Sequence, residues 1–302
     1  MNNNPLISIV MPTYNQANYL AEAINSVIYQ TYKNWELIIV DNFSNDETSN
    51  IVKTFSDKRI IYHKFRNQGI ISASRNIAIK FSKGDLVAFL DSDDVWYPNK
   101  LMVCIKNFDD NTDLIGHGLS FFGIKKGNFS PGPIKRSSKK SLIRNGNCLT
   151  PSGTIVRKSL LDEVRGFSED SSFITSEDYH LWIKLSGLGI RMKFIKAILG
   201  KYRTHTASNS ISVVRHLNSV IAVVDNFYFA TFKMTLLNKI MLSRRYSIAT
   251  YGAGRTLSSH KQYLQSLPFY FKSIVQCPFF IRPYLMILIS LALTIRHMCK
   301  KL

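Results

Sequence analysis

Cysteine is scarce in this chain and widely scattered. Cys104, Cys148, Cys277 and Cys299 form no CxxC pair, which excludes a zinc knuckle, offers no disulfide framework and leaves reduced thiols in a cytosolic setting as the expectation. Neither GxGxxG nor GxxxxGK[ST] occurs, so the usual dinucleotide and P-loop phosphate cradles are excluded. The start, "MNNNPLISIV", lacks a basic n-region and a cleavable apolar core; nothing there marks the chain for secretion, and it is expected to face the cytoplasm. Acid is also short, with 20 Asp and Glu against 39 Lys and Arg and a net charge of +19. The shortage is steepest at the end, where Lys201 to Leu302 holds 14 Lys or Arg and one acid, Asp225. No apolar run in that region is long enough for a bilayer: its longest uncharged stretch, Pro283 to Ile295, has 13 residues, against the roughly 20 a spanning helix needs.

What the sequence does contain begins with size and apolar content. At 302 residues and 45% hydrophobic it can bury a sizeable core, as one large domain or as a domain with an appendage. "LISIVMP" reads as a fully apolar strand. "YLAEAINSVIYQ" puts Leu20, Ala23, Ile24, Val27 and Ile28 on one helical face, and "WELIIVD" is a second apolar strand. A third unit follows, with "GIISASRNIAIKFSKG" as helix and "DLVAFLD" as strand. Apolar strands alternating with helices predict an α/β fold, a mostly parallel sheet covered by helices.

In such sheets ligands lie beyond the carboxyl ends of the strands. Each predicted strand ends in polar residues: Pro12 to Asn15, then Asp41 and Asn42, then the aspartates of "VAFLDSDDVWYP". Three aspartates within four residues, Asp91, Asp93 and Asp94, repel one another at the end of a buried strand, a cost that a cation offsets. One capping aspartate for the helix near Pro98 would be ordinary; three are not. The edge as a whole suits a nucleotide with its base, ribose and diphosphate laid across it.

Four stretches in order carry a more specific likeness: "ISIVMPTYNQANYLAEAINSVIYQTYKNWELIIVDNFSNDET", "NQGIISASRNIAIKFSKGDLVAFLDSDDVWYPNKL", "PSGTIVRKSLLDEVRGF" with "SEDYHLWIKL", and "YRTH". Over roughly residues 5 to 210 they resemble the family 2 inverting glycosyltransferases of the GT-A (Rossmann-like) fold. The resemblance implies transfer of a sugar, hexosyl or N-acetylhexosaminyl, from a nucleotide diphosphate donor, usually uridine-based, to an acceptor hydroxyl with inversion. It implies Mn2+ or Mg2+ bridging the donor phosphates, with Asp93 and His205 on the metal and Asp91 on the ribose or the metal through water; Asp94 can be a helix cap alone. Pro12 and Tyr14 match the uridine cradle. Asp41 and Asn42 stand where the family has Asp-Asp-Gly-Ser, so Asn42 and Phe43 depart from it at the base corner, and an amide there can donate as well as accept. Asn67 and Arg75 match positions that help hold the nucleotide, although Arg75 also reads as a solvent-facing helix residue. Asp178 matches the base that deprotonates the acceptor, with Glu177 beside it orienting the site or the acceptor; both equally suit a helix N-terminus. Arg203 matches a residue that neutralises the departing nucleotide. "KKGNFSPGPIKRSSKK" and Thr150 to Gly153 are expected on the acceptor side, the former as an acid-free loop near a lipid diphosphate.

The resulting expectation is a catalytic domain over 1–210 and a basic amphipathic helical region over 211–302. Basic residues interleaved with "NFYFATF", "LPFYFKSIV" and "PFFIRPYLMILISLALTI" suit an anionic membrane surface, held peripherally at the cytoplasmic face of the bacterial inner membrane. A buried C-terminal helix with a solvated basic face is the plainer alternative. Stacking platforms expected for nucleic acid are not evident. The expected acceptor is a lipid-diphosphate-linked saccharide of surface polysaccharide (O-antigen or capsule) synthesis. A polyol-phosphate polymer or protein acceptor, or a catalytically silent sugar-nucleotide binder, are the alternatives.

Overall fold

The computed structural model describes residues 4–205 and 212–299. These fall into two compact units, residues 4–142 with 147–205, and residues 143–146 with 212–299.

The first unit runs β1 (Ile7–Thr13), α1 (Ala17–Ile28), β2 (Trp35–Asp41), α2 (Thr48–Lys53), β3 (Ile60–Lys64), α3 (Ile71–Phe81), β4 (Leu86–Phe89), β5 (Val95–Trp96), α4 (Lys100–Lys106), β6 (Leu114–Gly123), β7 (Gly127–Phe129), α5 (Lys139–Asn145), β8 (Thr154–Arg157), α6 (Lys158–Glu163), α7 (Glu177–Gly187) and β9 (Met192–Thr204). α5 ends in residues of the second unit. The sheet order is β3-β2-β1-β4-β8-β6-β9-β5, with β7 beside β6. Within it β3, β2, β1 and β4 are mutually parallel, β8 reverses, and β6 and β9 return to the first direction. Six strands thus share one sense while β5, β7 and β8 oppose it.

The apolar runs explain the core. Every residue of β1 and β2 is buried, as a parallel sheet covered on both faces requires. Leu20, Ala23, Ile24 and Val27 of α1 are fully buried, and Ile28 is packed against the same cluster at its edge. "DLVAFLD" is the fourth strand in the chain, not the third. The one before it, β3, has half-buried residues in an "IIYHK" pattern that shows neither an unbroken apolar run nor strict alternation. The helix after the aspartates begins at Lys100, with Asn99 before it and no side-chain cap bond. No aspartate of the cluster caps it.

The second unit holds α8 (Val213–Thr231), α9 (Leu236–Ser259), α10 (Tyr263–Gln276) and α11 (Arg282–Cys299). Among the described residues no helix is long and apolar enough to cross a membrane.

Candidate active site

The carboxyl ends of β1, β2 and β4 deliver the predicted residues to one edge. Thr13 lies beside Asp41 and Asp41 beside Lys64 in register, while Leu90 N donates to Val10 O at 3.0 Å, carrying the β1–β4 pairing up to the aspartates.

At the first corner Asp41 is fully buried and committed to its neighbours. Oδ1 accepts from the Ser44 amide at 2.9 Å and from the Ser44 hydroxyl, and Oδ2 accepts from the Tyr62 hydroxyl at 2.6 Å. Burial and then this carboxylate push the Tyr62 phenol up to about 12. The Asn42 side-chain oxygen accepts from the Asn67 amide at 2.9 Å, and Asn67 Nδ2 donates to Ser74 Oγ at 2.8 Å. Asn42 and Asn67 therefore form one clasp joining the end of β2 to α3. Pro12 is buried in β1, while Tyr14, two residues on, is exposed, as is Phe43, whose ring is covered by the Arg66 guanidinium at 4.7 Å. Phe43 holds φ 53°, a left-handed backbone that a bulky residue adopts only under local constraint.

At the second corner Asp93 Oδ2 lies 2.9 Å from His205 Nε2. Burial and the charge of Asp91 raise the Asp93 carboxyl above the ordinary range, with His205 opposing. Asp94 is buried and raised further, by burial and then by Asp93 and Asp91; its Oδ1 accepts the Arg203 amide at 2.8 Å. Arg203 Nε donates to the Asp93 carbonyl at 2.8 Å, its Nη2 pairs with Glu22, and its guanidinium lies over the Tyr19 and Phe122 rings. Arg203 thus fastens the aspartate loop to β9 and α1. Asp91 N donates to Ser152 Oγ at 3.1 Å, which brings the Thr150–Gly153 segment to the aspartate cluster.

Arg75 joins this corner to the start of α7. It is buried, not solvent-facing; Nη2 reaches Asp91 Oδ1 at 2.7 Å and Nη1 reaches Glu177 Oε1 at 2.6 Å. Burial alone would lower its pKa, but Asp91 and then Glu177 outweigh that and keep the guanidinium charged. The other Glu177 oxygen is buried without a hydrogen-bond partner. Asp178, half-buried beside it, accepts from Asn147 Nδ2 at 3.0 Å. Enclosure by protein and the adjacent Glu177 charge push the Asp178 carboxyl up to about 7, against the Tyr179 amide, Arg75 and Asn147. A carboxylate with a pKa near neutrality is suited to take a proton from a hydroxyl. Arg136, in the acid-free loop, donates to the Asn147 carbonyl at 3.4 Å, which ties that loop to the holder of Asp178.

The residues present fit a divalent cation. Among the described residues no group of three or more His, Cys, Asp or Glu side chains is placed to hold an ion alone. A hard cation that binds one or two protein ligands and completes its sphere with phosphate and water asks for less. Asp93 with His205 supplies that pair, beside Asp91, whose charge adds to burial in raising the Asp93 and Asp94 carboxyls. Tyr62 and Asn147 escape sequence reasoning because each acts through a partner that only the fold brings near, and neither lies in a family-like stretch; Ser44 and Ser152 do lie in such stretches, but their bonds to Asp41 and Asp91 appear only in the fold.

Glycosyl transferase family 2 matches residues 8–165, over half of the chain, and the chain belongs to that family. An uncharacterised glycosyltransferase of Rickettsia felis is 36% identical over 222 residues, 70% of this chain but 36% of its own length; the chain thus spans about a third of that relative. UDP-Glc:alpha-D-GlcNAc-diphosphoundecaprenol beta-1,3-glucosyltransferase WfgD of Escherichia coli is 34% identical over 228 residues, covering 74% of this chain and 86% of WfgD. Among solved structures, S. aureus TarS 1–349 in complex with UDP-GlcNAc superposes with a TM-score of 0.65 at 20% identity, over 89% of this chain and 81% of that one. The fold is of the GT-A type.

Proposed function

We propose that this glycosyltransferase moves a sugar from a uridine diphosphate donor to a hydroxyl of a lipid-diphosphate-linked saccharide, with inversion, during surface polysaccharide synthesis. Residues 1–210 carry catalysis and 211–302 hold the protein at the anionic cytoplasmic face of the membrane. The observation that carries this reading is Arg75, whose one guanidinium pairs with Asp91 and with Glu177. It brings the phosphate-side carboxylates and the acceptor-side carboxylates to one centre while keeping them apart.

Asp178 takes the acceptor proton, and Asn147 fixes the carboxylate that does so. Glu177, with one oxygen on Arg75, orients the site or the acceptor. The clasp of Asn42 and Asn67 with the Tyr14 ring forms the nucleoside corner. Asp93 and His205 would hold Mn2+ or Mg2+, which when bound neutralises the diphosphate as the nucleotide leaves. The acceptor's own diphosphate fits the loop 125–140, which has six Lys or Arg and no acid and is tied to Asn147 through Arg136. The name of WfgD, which describes a diphosphoundecaprenol-linked acceptor, supports the acceptor class.

The test compares Asp178→Asn with Asp93→Ala, measuring nucleotide diphosphate affinity by calorimetry and transfer rate. Asp178→Asn should keep donor affinity and lose about 10² to 10⁴ in rate, the worth of general-base help. Asp93→Ala should lose affinity in the presence of metal. Equal loss of donor affinity in both removes Asp178 from the base role.

A further inference from the structure

In the α10–α11 hairpin the buried side chains are mostly small and polar, Ser266, Ser273 and Ser290 beside Tyr270, while Phe271, Val275, Phe279, Leu285 and Leu288 are exposed. Where α9 meets α10, Ser247 Oγ donates to the Ser273 carbonyl at 2.8 Å and Ser273 Oγ returns to the Ser247 carbonyl at 2.9 Å. Ser258 Oγ meets the Tyr270 hydroxyl at 2.8 Å, and Ser266 Oγ meets Ser290 Oγ of α11 at 3.3 Å. Ser247, Thr250, Ser266, Ser273 and Ser290 are all fully buried. Gly254 allows the closest approach, since a Cβ there would lie 2.6 Å from the Tyr270 ring. Helices meet through small residues and hydroxyls in this way where their outer faces are solvated by lipid and not by water.

The turn between α10 and α11 gives the second, independent observation. A connection at a protein surface is normally polar; this one is Cys277-Pro278-Phe279-Phe280-Ile281. It is ordered by the Phe280 amide donating to the Cys277 carbonyl at 3.0 Å and the Tyr284 hydroxyl donating to the Pro278 carbonyl at 3.0 Å. Phe280 turns inward onto Tyr251 at 5.2 Å, while Phe279 is 93% and Ile281 77% exposed, with Val275 at 81% one turn back. Lys272 and Arg282, both exposed, flank this tip. α10 and α11, at 14 and 18 residues, are roughly 21 and 27 Å long at 1.5 Å per residue. A tilted hairpin of that size suits one leaflet of a hydrocarbon core about 30 Å thick.

We infer that the α10–α11 hairpin enters the acyl region of an anionic membrane from one side, tip first, with Phe279 and Ile281 in hydrocarbon and Lys272 and Arg282 at the headgroups. This rests on the membrane reading above and goes beyond it: adsorption by charge alone leaves the tip in water. A second copy of this chain could also cover the tip. The basic setting favours anionic lipid, because 14 cations and one acid between Lys201 and Leu302 would repel another such surface.

The test uses the full chain carrying Phe279→Trp, since the native Trp35, Trp96 and Trp182 are buried and give a constant background. With vesicles of phosphatidylglycerol and phosphatidylethanolamine, its emission should shift to the blue and be quenched by acyl-chain bromine. Binding should persist at 1 M salt, where the screening length is about 3 Å. Phe279→Ser with Ile281→Ser should lower vesicle partition by roughly 10- to 100-fold. Binding without acyl-chain quenching and lost at high salt overturns insertion, as does a lipid-free dimer in which the Phe279→Trp emission is already blue-shifted. Donor hydrolysis on the same samples reports separately on the transferase reading.

Discussion

Charge and bulk are distributed in opposite ways in the two units. In the first, large aliphatic and aromatic side chains fill the interior, and Arg75, Glu177, Asp41 and Asp94 are drawn inward at the site, with Glu36 and Lys100 buried elsewhere. In the second, serines and a threonine share the helix contacts with Tyr228, Tyr251 and Tyr270, while Phe271, Val275, Phe279 and Leu288 face outward. The first pattern is that of a protein folded in water, where apolar area leaves the solvent and a buried charge persists only with a partner. The second suits helices whose surroundings are apolar on one side. On the proposed reading one chain answers to two solvents, and its charges follow: carboxylates cluster where a cation and an acceptor hydroxyl would be handled, and lysines and arginines dominate where anionic lipid is proposed.

The sharpest way to test this contrast is to remove the cation proposed for the first unit's acid cluster. Chelation should abolish transfer, with a loss of at least about 10³-fold that Mn2+ or Mg2+ restores, because metal charge contributes several kcal/mol at the leaving diphosphate. Donor turnover measured across a chelator titration decides it. Undiminished transfer in excess chelator would take the metal role from Asp93 and His205.

Next comes the strut between the carboxylates. Arg75→Met leaves Glu177 buried without its cation, and breaking a buried pair in this way costs about 3–5 kcal/mol. Urea unfolding of the first unit should show that loss. Arg75→Lys should not recover it, since an ammonium cannot span Asp91 and Glu177 as a planar fork does. A variant as stable as the native chain would mean that Arg75 supports neither carboxylate.

How much of this was legible beforehand depends on distance along the chain. β1, α1 and β2 follow from apolar runs and helical spacing because their residues are buried in contiguous or periodic sets. β3 was hidden, since its half-buried "IIYHK" carries no such period. The aspartate cluster announced itself by repulsion. Arg75 was marked only through the family resemblance, and its pairing with Glu177 was not legible, because that partner lies 102 residues away and a lone arginine on a helix gives no sign of what it faces. Asn147 was missed for the same reason. In the second unit the basic and apolar interleaving was plain, but the inversion of small and large residues emerges only once the helices are paired.

That inversion predicts a smaller and more local effect. Gly254→Val would drive a side chain into the Tyr270 ring, which stands 2.6 Å from the built Cβ, and overpacking of this kind costs about 1–3 kcal/mol. Hydrogen exchange should then speed up in α9 and α10 while the strands of the first unit keep their protection. Loosening of β1 and β2 to the same degree would show that the two units unfold as one.

The smallest effect is the one that ties stability to chemistry. The Asp178 carboxyl, ordinarily near 3.8, is pushed up to about 7 in the folded chain by enclosure and by Glu177. Because the folded pKa is raised, the folded state binds the proton more tightly than the unfolded chain, so native stability falls as pH rises from about 4 and levels off above about 7. Asp178→Asn removes the titration while keeping the side chain's size. The variant should therefore gain on the native protein with rising pH, reaching about 1 kcal/mol at pH 8 once solvent access to the half-buried carboxyl is allowed for. The native transfer rate should rise with pH through about 7 as the base loses its proton, and the variant should lack that limb. Thermal unfolding of both proteins at pH 4, 6 and 8 measures the first effect and a pH–rate profile the second. A constant stability difference across that range would mean that Asp178 ionises as an ordinary surface carboxylate, and the site would then lack a base tuned to neutral pH.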